Sequence, residues 1–348
     1  MTIKINKNLK IDNNSRTLII AEISANHCGS KKNFLKHILK AKQNGADLVK
    51  IQTYEPKDIT LKSFNSKFKI KKGIWKNKFL WDLYKDAHTP FKWHKDAFAL
   101  AKKLKITLFS SPFSKRAVDL LENFNVKIYK ISSFELTDLE LIDYIAKKKK
   151  PIIISTGMAT VKEIKNAINC IKKYHNKIII LYCVSGYPSK EQDINLNTIK
   201  KFKKIFKGYD IGLSDHTNDI LSSLASTALG VSVIEKHFIT SKKINSHDKR
   251  FSIDCLQLRD LRNGVEKIYS SLGKEKIGLK KIEKESVKLR RSIFTKKKIK
   301  KGESFSRDNI CNLRPSIGIK SEYFNKILGK KANKDIMNNS PLYLRDLK

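Results

Sequence analysis

Eight short apolar runs, rich in isoleucine, valine and leucine, alternate with stretches of helical periodicity along this chain of 348 residues. The runs are apolar throughout, which is typical of parallel strands that are covered on both faces. Each run is predicted to be a strand, and together they lie at 17–23, 48–52, 107–110, 127–131, 151–155, 178–183, 210–214 and 233–237. Eight βα units in about 270 residues have the count and size of a (β/α)₈ TIM barrel.

Helix-start signals support this interpretation. Ser30 can cap a helix that ends near 44–45, and Thr160 with Glu163 forms a capping box for a helix that ends near Lys173. Other helical patterns lie near 94–104, 115–124, 138–147, 197–206, 218–229 and 257–270. The alternative, a doubly wound open sheet, usually has fewer strands and often a glycine-rich first turn, which this sequence lacks.

The pattern changes after Gly273. Residues 274–291 are charged and poor in aromatic residues, which is typical of a linker, and short β-like runs with turns follow them. The sequence therefore predicts a barrel domain at 1–273, a linker at 274–291 and a small domain of mixed β and short helix at 292–348.

A long aromatic insertion follows the second predicted strand, at 53–92. Trp75 and Trp81 lie in it, and Trp93 lies beside it. This segment could form a lid or hairpin across one end of the barrel, could stack single-stranded bases, or could be the wall of a site for an uncharged, acetylated or deoxy sugar. The residues alone leave all three interpretations open.

The formal net charge is +40, and clustered basic residues neutralise phosphates in nucleic-acid-binding proteins. However, only ten of the 73 basic residues are arginine, the residue that base-edge readers and phosphate clamps favour. The lysines lie mostly on helical faces or in last helical turns such as 147–150. We interpret the charge as a solvated surface that could attract a small anionic substrate, and we expect no nucleic-acid partner.

Cysteine usage and hydropathy predict a cytoplasmic protein with no membrane partner. The five cysteines are scattered and never spaced CxxC, which argues against a structural zinc or disulfide framework. No stretch approaches the roughly 18 consecutive apolar residues of a membrane span. The basic N-terminal segment lacks a following apolar block, so we expect no secretory signal.

Polar residues end or follow all eight predicted strands. In a barrel these positions face one common mouth, and a core role explains them poorly because buried polar groups need partners. In strand order the residues at these positions, all polar except Phe113, are Glu22, Asn26 and His27; Lys50 and Gln52; Ser111 and Phe113; Lys130, Ser133 and Glu135; Ser155 and Thr156; Ser185 and Tyr187; Ser214, Asp215 and His216; and Glu235, Lys236 and His237. The sequence therefore predicts an active site at the mouth.

Two lysines among these residues, Lys50 and Lys130, could hold a phosphate and a carboxylate together with Ser133, Ser155 and Ser214. Taken singly, each lysine would be interpreted as a surface charge at a strand end.

His216 and His237 follow adjacent strands, so their imidazoles could bind one divalent metal and leave positions open for water and substrate. A hydrogen-bonded strand-end histidine is the alternative for either one alone. Glu22 and Glu135 could accept substrate hydroxyls or a proton from bound water.

Seven motifs in this order resemble the sialic acid synthase family: IAEISANHCGS, VKIQTYEP, FSSPFS, YKISSFE, IISTGM, GLSDHT and VIEKHF. The segment KKKIKKGESFSRDNICNLRPSIG resembles the family's C-terminal SAF, or antifreeze-like, domain. The resemblance implies a (β/α)₈ barrel followed by that domain, and an enzyme that condenses phosphoenolpyruvate with an open-chain acetamido sugar. It also implies a divalent metal, Mn²⁺, Mg²⁺ or Co²⁺, and a domain-swapped homodimer.

The resemblance also implies roles for individual residues. His216 and His237 match the metal ligands, and Glu22 and Glu135 match catalytic carboxylates beside them. Phosphoenolpyruvate contacts are expected at Lys50, Gln52, Lys130, Ser133, Ser155 and Ser214. Sugar contacts are expected at Phe113, Tyr187, Asp248 and Arg314, the last reaching from the SAF domain into a partner's active site.

Three segments, KIQTYEPKDITL, GIWKNKFLWDLYKDAHTPFKWH and HDKRFSID, resemble the pseudaminic acid synthase branch of the family. Ser185 stands where the N-acetylneuraminate branch commonly has asparagine. This resemblance implies a 2,4-diacetamido-2,4,6-trideoxy-altrose as the acceptor. The N-acetylneuraminate and legionaminic acid branches are the alternatives.

Overall fold

A computed structural model describes residues 3–6, 9–12 and 15–348 of the chain. We expect no secretory signal in the N-terminal segment. Part of that segment lies outside the described residues, namely 1–2, 7–8 and 13–14. The chain divides into two compact units, Met1–Gly273 and Lys274–Lys348.

Eight parallel strands close into a barrel in the first unit, which confirms the predicted fold class. An antiparallel hairpin of β1 (Ile3–Asn6) and β2 (Leu9–Ile11), which the sequence analysis did not predict, precedes the barrel. The barrel strands are β3 (Leu18–Glu22), β4 (Leu48–Thr53), β5 (Thr107–Pro112), β6 (Tyr129–Ile131), β7 (Ile152–Ser155), β8 (Ile178–Cys183), β9 (Asp210–Asp215) and β10 (Val233–His237). Strand β10 pairs with both β9 and β3, so the sheet has no free edge.

Helices connect the strands. In chain order they are α1 (Lys31–Gln43), α2 (Leu80–Ala87), α3 (His94–Lys103), α4 (Lys115–Asn123), α5 (Leu139–Ala146), α6 (Val161–Lys172), α7 (Glu191–Ile194), α8 (Thr198–Ile205), α9 (Leu221–Ala228) and α10 (Cys255–Leu272). Short 3₁₀ turns lie at Ser24–His27, Pro56–Asp58, Ser66–Phe68, Phe91–Trp93 and Lys249–Phe251.

Both predicted helix starts are confirmed. The Ser30 side chain accepts a hydrogen bond from the backbone N–H of Asn33 at the start of α1. Thr160 and Glu163 form the reciprocal capping box at the start of α6. Each cap satisfies N–H groups that have no partner inside the helix, and this explains why both helices begin where they do.

Side chains along each barrel strand point alternately outward and inward, and the apolar ones therefore form two layers. Side chains that point outward pack under the helices, and side chains that point inward fill the barrel together with Ile3, Ile5 and Ile11 of the N-terminal hairpin. The inward apolar set from the strands and their flanks is Leu18, Ile20, Leu48, Phe109, Ile128, Ile153, Ile179, Leu181 and Val233. These residues form an apolar floor beneath the carboxyl ends of the strands.

The second unit is small and mixed. It contains α11 (Lys284–Val287), an antiparallel pair of β11 (Ser292–Thr295) and β12 (Ile310–Leu313), and α12 (Phe324–Ile327), with 3₁₀ turns at Lys281–Glu283, Ser321–Tyr323 and Leu344–Asp346. Its core is apolar and includes Ile293, Ile299, Phe305, Ile310, Ile319, Ile327, Ala332, Ile336 and Leu342. In the part of the chain that the structure describes, no helix of either unit is long and apolar enough to span a bilayer.

Candidate active site

The register of the parallel strands places predicted site residues side by side. His237 is opposite Glu22, Glu22 is opposite Lys50, and Glu235 is opposite Ser214. Glu22, Lys50, Glu235 and His237 each lie an even number of positions after an inward apolar residue of their own strand, so their side chains point into the barrel. Ser214 directly follows Leu213, which packs in the outer layer, so its side chain points inward as well. The strand ends therefore carry a polar layer on top of the apolar floor.

Two lysines and two carboxylates form the centre of this layer. Lys50 Nζ lies 3.0 Å from Glu22 Oε2 and 3.4 Å from Glu235 Oε1. Lys130 Nζ lies 3.9 Å from the same Glu235 oxygen, and it donates a hydrogen bond to Ser155 Oγ at 2.7 Å. All four charged side chains are buried. Buried charges of both signs at this density are typical of a site for a charged ligand.

Burial and mutual charge shift the pKa values of this cluster in different directions. Burial raises the pKa of Glu22 to about 7, against the lowering effect of Lys50. Burial lowers the pKa of Lys130 to about 8, with Glu235 opposing the shift. Burial would also lower the pKa of Lys50, but Glu22 and Glu235 raise it. At neutral pH the site therefore presents two cations, one of which loses its proton in the mildly alkaline range.

Serines line one side of the lysines. Ser133 Oγ accepts a hydrogen bond from the backbone N–H of Gly157 at 3.0 Å, and Ser214 Oγ donates to Glu235 at 3.2 Å. Gly157 has no room for a side chain, because a Cβ there would lie 2.0 Å from Ser185 Oγ and 2.9 Å from Ser133 Oγ. The loops after β6 and β7 thus approach each other closely, and the hydroxyls of Ser133 and Ser185 meet there, which are small groups that suit an anion.

His216 and His237 lie together, with ring centroids 5.4 Å apart. His216 Nδ1 lies 2.9 Å from the carbonyl oxygen of Val184, which can only accept, so Nδ1 donates its proton there, and in the neutral ring Nε2 keeps a free lone pair. Burial would lower the pKa of His216, but Cys183, this carbonyl and Asp215 raise it. Burial lowers the pKa of His237 well below its usual value, and the neighbouring cationic side chains act in the same direction. A neutral imidazole oriented by a backbone carbonyl is the form that binds metals.

The pair fits a divalent cation. His237 Nδ1 is buried without a hydrogen-bond partner among the described residues, and it lies 3.7 Å from Asp248 Oδ2. The described residues contain no group of three or more His, Cys, Asp or Glu side chains arranged to hold a metal. The protein thus offers two nitrogen ligands, with Asp248 beside them, which leaves room for water and substrate on the cation.

Three aromatic side chains cover the histidines, and we call them the aromatic wall: Trp75, Tyr187 and Phe251. The Tyr187 ring lies 4.3 Å from that of His216, and the Phe251 ring lies 4.7 Å from that of His237. Trp75, from the insertion, lies 5.7 Å from Tyr187 and 6.2 Å from Phe251. The insertion therefore contributes directly to the surroundings of the histidine pair.

The other predicted residues take different places. Gln52 donates to Glu22 Oε1 at 3.0 Å, next to the lysines. Glu135 Oε2 is buried without a partner among the described residues, and burial raises the Glu135 pKa to about 7. Phe113 packs against Tyr54, with ring centroids 5.1 Å apart. Arg314 is exposed in the Lys274–Lys348 unit, just after β12.

The structure adds residues that the sequence analysis did not select. Glu235 was noted as a strand-end residue, yet it lies between both lysines, and its position two residues before His237 could have revealed its inward direction. Phe251 and Cys183 gave no comparable signal. Cys183 Sγ lies 3.9 Å from His216 Nδ1 and 3.5 Å from Ser133 Oγ, a proximity that only the closed barrel creates.

Comparison with known protein families identifies the barrel. The model described as "NeuB family" matches residues 37–277, which is more than half of the chain. The chain belongs to the NeuB family. The SAF domain model matches residues 290–348, so both predicted parts of the resemblance to sialic acid synthases are confirmed.

Relatives in this family match nearly the whole chain. Pseudaminic acid synthase of Helicobacter pylori is 43% identical over 94% of this chain and 97% of the relative. N,N'-diacetyllegionaminic acid synthase of Campylobacter jejuni is 38% identical over 92% of this chain and 97% of the relative. The crystal structure of N-acetylneuraminic acid synthetase from Leptospira borgpetersenii is similar with a TM-score of 0.74, at 29% identity, over 82% of this chain and 95% of that chain.

Proposed function

We propose that the protein is a pseudaminic acid synthase. It condenses phosphoenolpyruvate with 2,4-diacetamido-2,4,6-trideoxy-β-L-altropyranose and water, and it releases pseudaminic acid and phosphate. The observation that carries the proposal is the pair of buried lysines with their serines, set beside a buried histidine pair inside the barrel. Such a site suits a doubly charged anion next to a cation, which is what an enol phosphate and a metal-assisted carbonyl addition require.

Phosphoenolpyruvate is proposed to lie between the lysines. Lys130 and Ser155 already share a hydrogen bond of 2.7 Å, and Lys50 reaches Ser111 Oγ at 3.4 Å. The phosphate and the carboxylate of the substrate would take over donors that now point toward Glu235. Ser133, Ser214 and Gln52 complete the set of donors around the anion. The structural basis is that each of these groups is a donor at the end of a barrel strand or directly after one.

A divalent cation, Mn²⁺, Mg²⁺ or Co²⁺, would be held by His216 and His237, and it would supply Lewis-acid chemistry to the aldehyde oxygen of the open-chain sugar. His237 supports this role because its pKa is low, so it does not need to lose a proton before it binds a cation. Asp248, 3.7 Å from His237, would hold that ring or a sugar hydroxyl.

The reaction forms one carbon–carbon bond and one carbon–oxygen bond, the latter to water, and it breaks the carbon–oxygen bond to phosphate. C3 of the enol attacks the aldehyde carbon, whose oxygen takes up a proton and becomes a hydroxyl. Water adds at C2 of the resulting oxocarbenium ion and gives up a proton. Phosphate then leaves from C2 with the electrons of the C–O bond, and the remaining C2 hydroxyl loses its proton to phosphate and becomes the keto group. Glu135 is the proposed base for the water, because a pKa of about 7 lets its carboxylate accept a proton and later return it. Glu22 would orient a sugar hydroxyl, and Lys130 would stabilise the charge that grows on the leaving phosphate.

The acceptor sugar is proposed from the aromatic wall and from the relatives. Trp75, Tyr187 and Phe251 present apolar rings beside the histidines, and a sugar without a hydroxyl at C6 leaves no polar group unpaired against such a surface. Phe113 is proposed to contact the same sugar from the side of Tyr54. Legionaminic acid synthase and N-acetylneuraminate synthase activities are the alternatives within the family.

The second unit is proposed to act in a cytoplasmic, domain-swapped homodimer. Residues 274–291 would serve as the linker, and residues 292–348 would carry Arg314 to the sugar in the partner's active site. An exposed arginine directly after β12 is accessible for such a contact.

Supplying the purified protein with Mn²⁺, phosphoenolpyruvate and one candidate sugar at a time tests the proposal. The candidates are the 2,4-diacetamido-2,4,6-trideoxy-altrose, its legionaminic counterpart and N-acetylmannosamine, with product identified by mass and phosphate release followed in parallel. We expect the altrose to give the highest kcat/KM. A higher value for another sugar would replace the acceptor, and no phosphate release with any sugar would refute the reaction.

A further inference from the structure

Each histidine of the pair directly follows a charged residue that points out of the barrel. Asp215 precedes His216 at the end of β9, and Lys236 precedes His237 at the end of β10. Because neighbouring side chains of a strand alternate, both charges lie behind the barrel wall, on the side of α9. Lys236 Nζ and Asp215 Oδ2 are 3.0 Å apart, and both side chains are 0% exposed.

Every polar group of this ion pair is used. Lys236 Nζ also donates to the carbonyl oxygen of Thr217 at 2.7 Å and to its Oγ1 at 3.0 Å, which fills its three donor positions. Asp215 Oδ1 accepts from the N–H and the Oγ1 of Thr217, both at 2.8 Å. Ser223, near the start of α9, donates to Asp215 Oδ2 at 2.5 Å. The backbone on both sides of His216 is thus tied to the residue before His237.

Stability does not explain this arrangement well. Taking two ions out of water costs several kcal/mol each, and replacing a buried ion pair by uncharged residues of similar volume is often neutral or stabilising. What an ion pair with five directional hydrogen bonds does supply is fixed geometry. Here that geometry links the ends of two neighbouring strands at the point where each presents an imidazole to the barrel interior.

We propose that Asp215 and Lys236 are positioning residues that set the separation of the His216 and His237 rings and thereby the affinity of the pair for a divalent cation. The proposal rests on the metal site of the proposed function. The two residues touch neither substrate nor cation, since they lie on the opposite side of the strands. Their effect on the ring separation passes through the backbone of residues 215–217 and 236–237.

The test compares Mn²⁺ binding to the metal-free full-length protein by isothermal titration calorimetry. The variant is the double substitution Asp215→Asn with Lys236→Met, which removes both charges and nearly keeps both shapes. We expect its dissociation constant for Mn²⁺ to rise about 10-fold or more, as when groups that orient metal ligands are lost. We expect its melting temperature in the presence of a chelator to stay above those of the two single variants, each of which buries one unpaired charge.

A matched control lies at the other end of the barrel. Asp47 precedes β4, pairs with Arg16 at 2.9 Å and accepts from the backbone N–H of Ile19 at 2.8 Å. Asp47→Asn should lower the melting temperature and leave Mn²⁺ affinity unchanged. If the double variant does not fold, Thr217→Val removes only one hydroxyl from the network, and it should weaken Mn²⁺ binding to a smaller extent.

The outcomes separate the two proposals. If the wild-type protein binds no Mn²⁺, the metal site of the proposed function is wrong. If the wild-type protein binds Mn²⁺ and the charge-free double variant, or Thr217→Val in its place, binds it equally well, the metal site stands and the positioning role of Asp215 and Lys236 is refuted.

Discussion

The most informative single substitution is Lys130→Met. Lys130 is 1% exposed, and it lies 2.7 Å from Ser155 Oγ and 3.9 Å from Glu235. Methionine fills nearly the same volume without the charge. If Lys130 binds an oxygen of phosphoenolpyruvate, the substitution removes a hydrogen bond to a charged group that is worth about 1.5–3 kcal/mol. The KM for phosphoenolpyruvate should therefore rise about 10- to 150-fold.

In the wild-type protein, the KM for phosphoenolpyruvate should likewise depend on the charge of Lys130, which a change of pH can remove. Burial lowers the pKa of Lys130 to about 8, whereas a bound anion would keep the side chain protonated. Above about pH 8 the free enzyme loses this charge, so the KM for phosphoenolpyruvate should climb toward tenfold per pH unit, which is the limit for one proton. In Lys130→Met the KM should be high already at pH 7 and should lack this climb.

The stability of the protein should also depend on pH through Lys130, and it should increase with pH while the affinity for phosphoenolpyruvate falls. The Lys130 pKa falls from its ordinary 10.5 to about 8 in the fold, so between these values the unfolded chain binds more protons than the native protein. The free energy of unfolding should therefore rise with pH across this window, by up to about 3 kcal/mol. In Lys130→Met that contribution should be missing.

The assay is phosphate release against phosphoenolpyruvate concentration between pH 6.5 and 10, with urea unfolding at the same pH values. Lys127→Met is the matched control, because Lys127 is an exposed lysine that shortly precedes Lys130 in the chain. An unchanged KM in Lys130→Met, or a wild-type KM that stays flat to pH 10, would contradict the placement of phosphoenolpyruvate beside Lys130.

Four further predictions concern the rest of the site. His216→Ala or His237→Ala should lower Mn²⁺ affinity at least about 100-fold in calorimetry while circular dichroism stays unchanged, and retained affinity would remove the metal from this pair. Deleting residues 292–348 should give a folded barrel with almost no phosphate release, whereas normal turnover would place the small domain outside the site. In Glu135→Gln the rise of kcat through about pH 7, expected in the wild type as the base ionises, should disappear, and its persistence would assign the base elsewhere. Trp75→Ala should lower kcat/KM for the 6-deoxy altrose about tenfold more than for N-acetylmannosamine, and equal losses would show that the wall does not select the sugar.

Local sequence patterns predicted much of the fold. The predicted strands at 178–183 and 233–237 coincide with β8 and β10, and the Thr160 capping box starts α6 as predicted. These features depend on neighbours within a few residues, so the sequence displays them directly. The N-terminal hairpin was missed because its strands are only four and three residues long and its apolar residues gain a partner only inside the barrel.

The candidate site was predictable in part for the same reason. Polar residues at the ends of apolar strands are visible in the sequence. Once a barrel is assumed, its geometry places Lys50, Lys130 and the two histidines at one mouth. The contact of Trp75 with Tyr187 and Phe251 joins segments that lie more than 100 residues apart in the chain, and no local pattern specifies it. Helix α2 in the same insertion was not predicted either, because the sequence of the insertion allowed several interpretations.

The sequence by itself determined where the eight barrel strands of this protein lie and which of those strands end on ionisable groups. Only the tertiary structure decided which of the groups touch. It set Glu235 between two lysines, and it tied Lys236 to Asp215 behind the histidines. The physical reason is that side-chain alternation is a property of one strand, whereas a pKa or a metal site depends on the distances between strands, which the closure and register of the whole barrel fix.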